Sequence, residues 1–213
     1  MQFDEFIKRL SKLSNLSLPG EEAQHEMAPV ERLKELLEVD IEERNPRRAG
    51  VMALFYPSEA GEAMLVLILR KTYKGVHSNQ VGFPGGKVEP EDADIQVTAL
   101  RETEEEIGVP KEDVTVIKKM TKIYIPPSNF WVQPFIGYVN YKPIFKKEEA
   151  EVEDLIEVSV TDFLAEGSLT TQKITTSYAI NIDVPAFQLN GYVVWGATAM
   201  MLSEIKRIML KVL

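Results

Sequence analysis

From Ile95 to Ile107 the chain runs without a glycine or a proline. The stretch just before it, Gly82-Phe83-Pro84-Gly85-Gly86, is broken by three glycines and a proline. This pairing constrains the chain more than any other feature. The first segment is long enough for three turns of helix. Asp92 or Asp94 can cap its start, and Gly108 can stop it. At helical spacing Val97, Leu100, Thr103 and Ile107 share one face, which predicts the face packed on a core. Glu102, Glu105 and Glu106 then cluster opposite. Like charges so spaced cost a few tenths of a kcal/mol per pair in an isolated helix. A hard divalent cation offsets that repulsion, and Mg²⁺ takes carboxylate and phosphate oxygens together. A solvated acidic face with Arg101 as local compensation is the plainer reading of three glutamates alone. The glycines upstream favour the metal reading, because they let backbone N–H groups approach an anion closely.

Bulk properties exclude several classes. The chain has 213 residues, 33 acidic against 24 basic, and a net charge of −9. There is no excess of Lys and Arg to displace counterions from a nucleic acid, so nucleic-acid binding is not expected. An anionic small molecule would need local help from metal, arginines and backbone N–H groups. Without cysteine there is no thiol nucleophile, disulfide or Cys-based zinc site. No apolar run is long enough to span a membrane, and the acidic start does not read as a signal peptide, so the expected location is cytoplasmic.

Along the chain, residues 1–48 read as a helical extension and residues 49–213 as the main domain. Phe3, Phe6, Ile7, Leu10 and Leu13 recur at helical spacing, as do Val30, Leu33, Leu36 and Leu37 after Pro29. The extension reads either as a homodimer surface or, preferred, as an arm packed on the main domain. Asn45-Pro46-Arg47-Arg48 reads as a solvated turn. Gly50–Tyr56 and Ala63–Leu69 are apolar runs of strand length, joined through Pro57 and Gly61. Lys71 to Val81 is polar and loop-like. Val114–Ile125 and Trp131–Val139 read as strands linked by Pro126-Pro127-Ser128-Asn129. Phe130 and Trp131 offer faces to a base, but edge packing is preferred. Lys142 to Asp154 is a charged link, able to lend a further carboxylate to a metal site. Leu155–Val160 reads as a strand, then Val160-Thr161-Asp162-Phe163 opens a short helix. Lys173–Asn181 and Val184–Leu189 alternate as strands. Asn190-Gly191 is a hairpin signal, and residues 197–213 form a terminal amphipathic helix with one apolar face.

The segment from Gly86 to Val109 closely resembles the Nudix box, G-x5-E-x7-R-E-U-x-E-E-x-G-U with U aliphatic. Arg101, Glu102, Glu105, Glu106, Gly108 and Val109 fall on its second half without a gap; Thr103 replaces an aliphatic. Asp92 stands where the first glutamate is usual, and the gap to Arg101 is one residue longer. This variant looks like the coenzyme A pyrophosphatase branch, whose upstream signature is L-L-T-x-R-S-x3-R-x3-G-x3-F-P-G-G. Arg70 and Phe83-Pro84-Gly85-Gly86 match it, whereas Lys71, Gly75 and Asn79 stand where Ser, Arg and Gly are usual.

The resemblance implies an α/β fold, the Nudix α/β/α sandwich with a mixed β-sheet. It implies an enzyme that hydrolyses a pyrophosphate bond with Mg²⁺ or Mn²⁺ held by Glu102, Glu105 and Glu106, and a nucleotide-like small molecule as substrate. Arg101 is expected to orient a glutamate. Arg70, His77, Gly85, Gly86 and Lys87 are expected at the substrate. Arg70 reads equally as a salt-bridge partner. His77 reads as a loop residue contacting substrate or capping a turn, in preference to a general base. The implied substrate is coenzyme A or an acyl-CoA, cut to 4′-phosphopantetheine and adenosine 3′,5′-bisphosphate. ADP-ribose, NADH and dinucleoside polyphosphates are alternatives within the class, and a non-catalytic nucleotide-binding module is the alternative outside it.

Overall fold

The computed structural model describes residues 1–30, 32–33, 40–71, 80–174 and 182–213. Two long apolar strands, β1 (Arg47–Pro57) and β2 (Ala63–Arg70), pair antiparallel through the Ser58–Glu62 turn. Short strands β3 (Val81–Gly82) and β4 (Gly85–Lys87) follow, pairing with β2 and β1. Then come β5 (Thr115–Lys119), β6 (Ile123–Ile125), β7 (Phe130–Tyr138) and β8 (Val152–Ser159). Strand β7 runs parallel to β1 and the other pairings are antiparallel, giving a mixed sheet in the order β3-β2-β1-β7-β5. A second sheet holds β9 (Leu169–Ile174), β10 (Ile182–Leu189) and β11 (Tyr192–Trp195). The β10–β11 turn has Asn190 and Gly191 both at positive φ, as a two-residue hairpin of the right twist requires.

Helices described from end to end are α1 (Phe3–Leu10), α2 (Glu21–His25), α3 (Ile95–Ile107), α4 (Val160–Leu164) and α5 (Gly196–Met209). Alternation along β1 divides them. Met52, Leu54 and Tyr56 face α3, together with Val66, Ile68 and Phe135. Val51, Ala53 and Phe55 face the other way, into a core shared with Phe3, Phe6, Leu10 and Leu13 from the amino-terminal segment and Leu202, Ile205 and Ile208 from α5. Strands buried on both faces read as continuous apolar runs, as β1 and β2 do.

Several sequence expectations need correcting. Arg47 and Arg48 are not a turn but the exposed first residues of β1, in register with Phe130 and Trp131. The Val114–Ile125 strand is two strands. Its ladder breaks opposite Pro134 of β7, which has no N–H to donate; the Pro134 carbonyl instead accepts from Met120 N. Helix α5 is buried on more than one face, because the amino-terminal segment covers what would be its solvent side. Glu204 is fully buried there and accepts from Gly20 N, Gln24 Nε2 and Thr121 Oγ1. The Leu36–Leu37 part of the second apolar repeat, and residues 175–181 of the Lys173–Asn181 strand, lie outside the described residues.

Helix α3 lies directly on β1 at Gly50. A Cβ there would stand 2.5 Å from Ile95 O and 3.1 Å from Ala99 N. Both are backbone atoms and cannot swing aside. Gly50→Ala should therefore lift α3 off the sheet and cost about 2–3 kcal/mol. Equilibrium denaturation of the purified variant checks this, and an unchanged midpoint would mean the contact is looser than the backbone implies.

Candidate active site

Asp94 is the residue that caps α3: its Oδ1 accepts from Gln96 N at 2.8 Å and Val97 N at 2.9 Å. Asp92 does something else. It forms a fork with Arg101, Oδ1 to Nε at 3.0 Å and Oδ2 to Nη2 at 3.1 Å, and accepts from Thr98 Oγ1 at 2.8 Å. The Arg101 guanidinium holds the Asp92 carboxyl far below the usual carboxylate range. Arg101 Nη1 donates to Glu102 at 3.0 Å and Glu105 at 2.8 Å, and Nη2 reaches the Lys87 carbonyl at 3.1 Å. One planar cation therefore joins the acidic link, β4 and two of the three glutamates.

The three glutamates do not form one solvated face. The buried residues of α3 are Thr98, Ala99, Thr103, Glu106 and Ile107, while Val97 and Leu100 are half-buried. Glu106 is 1 % exposed, whereas Glu105 remains open to solvent. The cause is the glycine loop, which lies over this flank and supplies donors. Gly85 N donates to Glu106 Oε2 at 2.7 Å, and Arg70 Nη1 to Oε1 at 3.1 Å. Arg70 Nη2 closes the ring on the Gly85 carbonyl at 2.7 Å. Gly85 sits at φ 148°, and a Cβ there would stand 2.4 Å from Gly50 O. Only glycine fits. At Gly86 a Cβ would stand 2.3 Å from the Glu102 carboxyl, so the missing side chain is what lets this carboxylate lie against the loop.

Burial pushes the Glu106 carboxyl up to about 7, partly countered by Arg70 and by the Gly85 N–H. Burial also raises Glu102, against the pull of Arg101. The Glu102 and Glu151 charges raise Glu106 further, and Glu105 and Glu151 raise Glu102. These are oxygen donors that repel one another in a partly desolvated place, the chemistry that suits a hard divalent ion. Among the described residues no three carboxylates converge closely enough to enclose an ion. Glu102 and Glu106, on either side of the glycine loop, are nonetheless donors of the right kind, with Glu105 at the rim.

The structure thus brings together Arg70, Gly85, Gly86, Glu102 and Glu106, with Arg101 and the Lys87 backbone behind them. The side chain of Lys87 is exposed. His77 lies outside the described residues, as do Gly75 and Asn79. Asp92 was not expected among the site residues, and Glu151 only as an unnamed carboxylate of the charged link 142–154. Asp92 was legible as the acid of the link, but its partner was not. Glu151 belongs to the charged link, whose Lys146 and Glu148 N–H groups donate to the Ile107 and Glu106 carbonyls; only tertiary contact brings it near.

Residues 46–177, well over half of the chain, match the family model described as the NUDIX domain. The chain belongs to the Nudix family. It is 31 % identical over 144 residues to a Yersinia enterocolitica protein described as an uncharacterized Nudix hydrolase, NudL, covering 68 % of this chain and 73 % of that one. The Yersinia pestis NudL matches at the same identity, with 71 % of its length covered. Among solved structures the chain resembles a MutT/nudix family protein from Enterococcus faecalis, with TM-score 0.53 and 15 % identity over 91 % of this chain and 75 % of that one. It also resembles RenU, a Nudix hydrolase from M. smegmatis, with TM-score 0.52 and 14 % identity over 79 % and 88 % of the two chains. These likenesses show the Nudix α/β fold. The chain is therefore an enzyme, a pyrophosphohydrolase of the Nudix family. Enzymes of this family generally use a divalent metal, typically Mg²⁺. Among the described residues no helix is long and apolar enough to cross a membrane.

Two measurements follow from the electrostatics. Glu106 has a folded value of about 7 against an ordinary value of 4.5. The fold therefore binds the extra proton between those values, and this stabilisation is present below 4.5 and lost as pH rises through 7. In metal-free protein, Glu106→Gln should gain thermal stability relative to wild type across that window. A constant Tm difference from pH 4.5 to 8 would refute it. Asp92 has the opposite sign: its contribution is present above the ordinary value of 3.8 and lost only in stronger acid. Asp92→Ala should cost about 2 kcal/mol at neutral pH, the scale of charged hydrogen bonds, as read by urea denaturation.

Proposed function

We propose that this Nudix enzyme hydrolyses the pyrophosphate bond of coenzyme A or an acyl-CoA, giving 4′-phosphopantetheine and adenosine 3′,5′-bisphosphate. The observation that carries the reading is the ring in which Arg70 and Gly85, both within the upstream signature, hold Glu106 of the box. The Phe83-Pro84-Gly85-Gly86 run thereby has a structural reason to accompany the box glutamates. Phe83 is 2 % exposed and anchors the loop in the core.

In this reading Glu102 and Glu106, with Glu105, hold Mg²⁺ or Mn²⁺. The ion supplies charge neutralisation on the pyrophosphate and a more acidic bound water. Arg101 fixes the rotamers of Glu102 and Glu105 through its Nη1 bonds. Arg70 and the Gly85 N–H hold the buried Glu106 carboxyl in place. The missing side chain at Gly86 lets the Glu102 carboxylate lie against the loop. A box glutamate takes the proton of the attacking water, or Glu151 does so from the later loop. Residues 1–46 serve as an arm packed on the hydrolase domain, which opens at Arg47 and not at 49 because Arg47 and Arg48 begin β1.

The test is turnover of coenzyme A, ADP-ribose, NADH and diadenosine tetraphosphate with Mg²⁺ or Mn²⁺, with products resolved by chromatography. Adenosine 3′,5′-bisphosphate from coenzyme A, at the highest kcat/KM of the panel, is expected. Preference for ADP-ribose or NADH would reject the substrate and keep the reaction class. Glu102→Gln and Glu106→Gln should each lower kcat about a hundredfold or more with the fold intact. Near-normal turnover in both would remove them from the metal site.

A further inference from the structure

A groove of about 350 Å³ opens beside the first residues of β1, lined in part by Arg48, Ile95, Lys119, Lys122, Trp131 and Gln133. It is separate from the glutamate site. Strands β4 and β7 flank opposite edges of β1. Glu102 lies against Gly86 of β4, whereas the groove is built on β7. Helix α3 crosses between them. Ile95, in the groove wall, is seven residues from Glu102, roughly 10 Å along the helix axis.

The groove's charge runs against that of the protein. The chain carries 33 acidic and 24 basic residues, yet Arg48, Lys119 and Lys122 converge here with Glu42 as the opposing charge. Among the described residues none of the three cations makes an ion pair. The sheet register gathers them: Arg48 pairs with Trp131, and Lys119 with Phe135 two pleats along β7. Lys122 Nζ sits 4.0 Å over the Trp131 ring, which holds that cation at the groove instead of letting it extend into solvent. Trp131 buries its Nε1–H with no hydrogen-bond partner in the protein.

We propose that this groove is a second anion site, one that takes a phosphate group of a small phosphorylated molecule. Arg48 offers a planar fork to the phosphate oxygens, and Lys119 and Lys122 supply point charges. The phosphate has two sources. It belongs either to the non-reacting end of the substrate, which rests on the coenzyme A reading, or to a separate phosphorylated ligand.

The experiment titrates inorganic pyrophosphate into metal-free, full-length protein while following the two indole N–H resonances by NMR. Trp131→Phe assigns them, and Trp195 serves as the internal reference. The Trp131 resonance should shift and saturate at millimolar pyrophosphate, while the Trp195 resonance stays. The double variant Lys119→Ala/Lys122→Ala should bind roughly tenfold or more weakly, with its melting temperature unchanged. Arg48→Ala, at an exposed strand end, should weaken binding in the same direction. An unmoved Trp131 resonance, or equal affinity in the double variant, overturns the proposal. The source is read from KM. If the double variant raises KM for coenzyme A but not for dephospho-coenzyme A, the site holds the substrate's own 3′-phosphate. If it changes neither while pyrophosphate affinity falls, the site serves a separate ligand. A wild type that cleaves neither compound rejects the coenzyme A reading and leaves the pyrophosphate result standing on its own.

Discussion

Arg101 directs all its hydrogen-bonding nitrogens into one short segment of chain: Nε and Nη2 to Asp92, Nη2 also to the Lys87 carbonyl, and Nη1 to Glu102 and Glu105. Without this cation the acidic link and the helix after it would repel each other. With it, the link folds back on the helix and brings β4 along. Its partners in turn raise the Arg101 guanidinium further above its ordinary value, Asp92 foremost. The family form of the motif has a glutamate at this place and a shorter gap to the arginine. Here the shorter aspartate and the one extra residue accompany each other, and the fork is made all the same.

The second constraint is the glycine loop. Glu106 can be buried only because Gly85 N and Arg70 donate to it. Gly85 pairs with Val51 of β1 at φ 148°, and a Cβ there would stand 2.4 Å from Gly50 O, so no side chain fits. A buried carboxylate of this kind is costly unless hydrogen-bonded and paired. Burial and the neighbouring Glu102 and Glu151 charges push the Glu106 carboxyl up, against the pull of Arg70 and the Gly85 N–H. Glu102, Glu106 and the loop are one packed unit, and β1 beneath sets their spacing.

Much of this lay open in the linear order. The glycine loop, the uninterrupted helix, an aspartate cap at Asp92 or Asp94, Gly108 as the stop, the β1–β2 pair and the Asn190-Gly191 hairpin all follow from local chemistry; the fold chose Asp94. Helical spacing alone put the three glutamates on one exposed face, and there it misled. Periodicity counts apolar side chains and does not register a loop that returns with an N–H and a guanidinium. The break between β5 and β6 was hidden for a similar reason. The residue responsible, Pro134, is on the partner strand, not in the run itself.

By itself, then, the sequence determined the family and the reaction class, because the box residues Arg101, Glu102, Glu105, Glu106 and Gly108 stand at fixed spacing behind a glycine loop, and local order alone carries that pattern. Tertiary structure alone decided which glutamate is buried, that Asp92 clamps Arg101, that Arg70 faces Glu106, and that Arg48, Lys119 and Lys122 meet at Trp131. Each of these depends on bringing distant segments within hydrogen-bond or charge range. Strand register and the crossing of α3 over Gly50 set those distances, and local spacing in the chain carries no record of them.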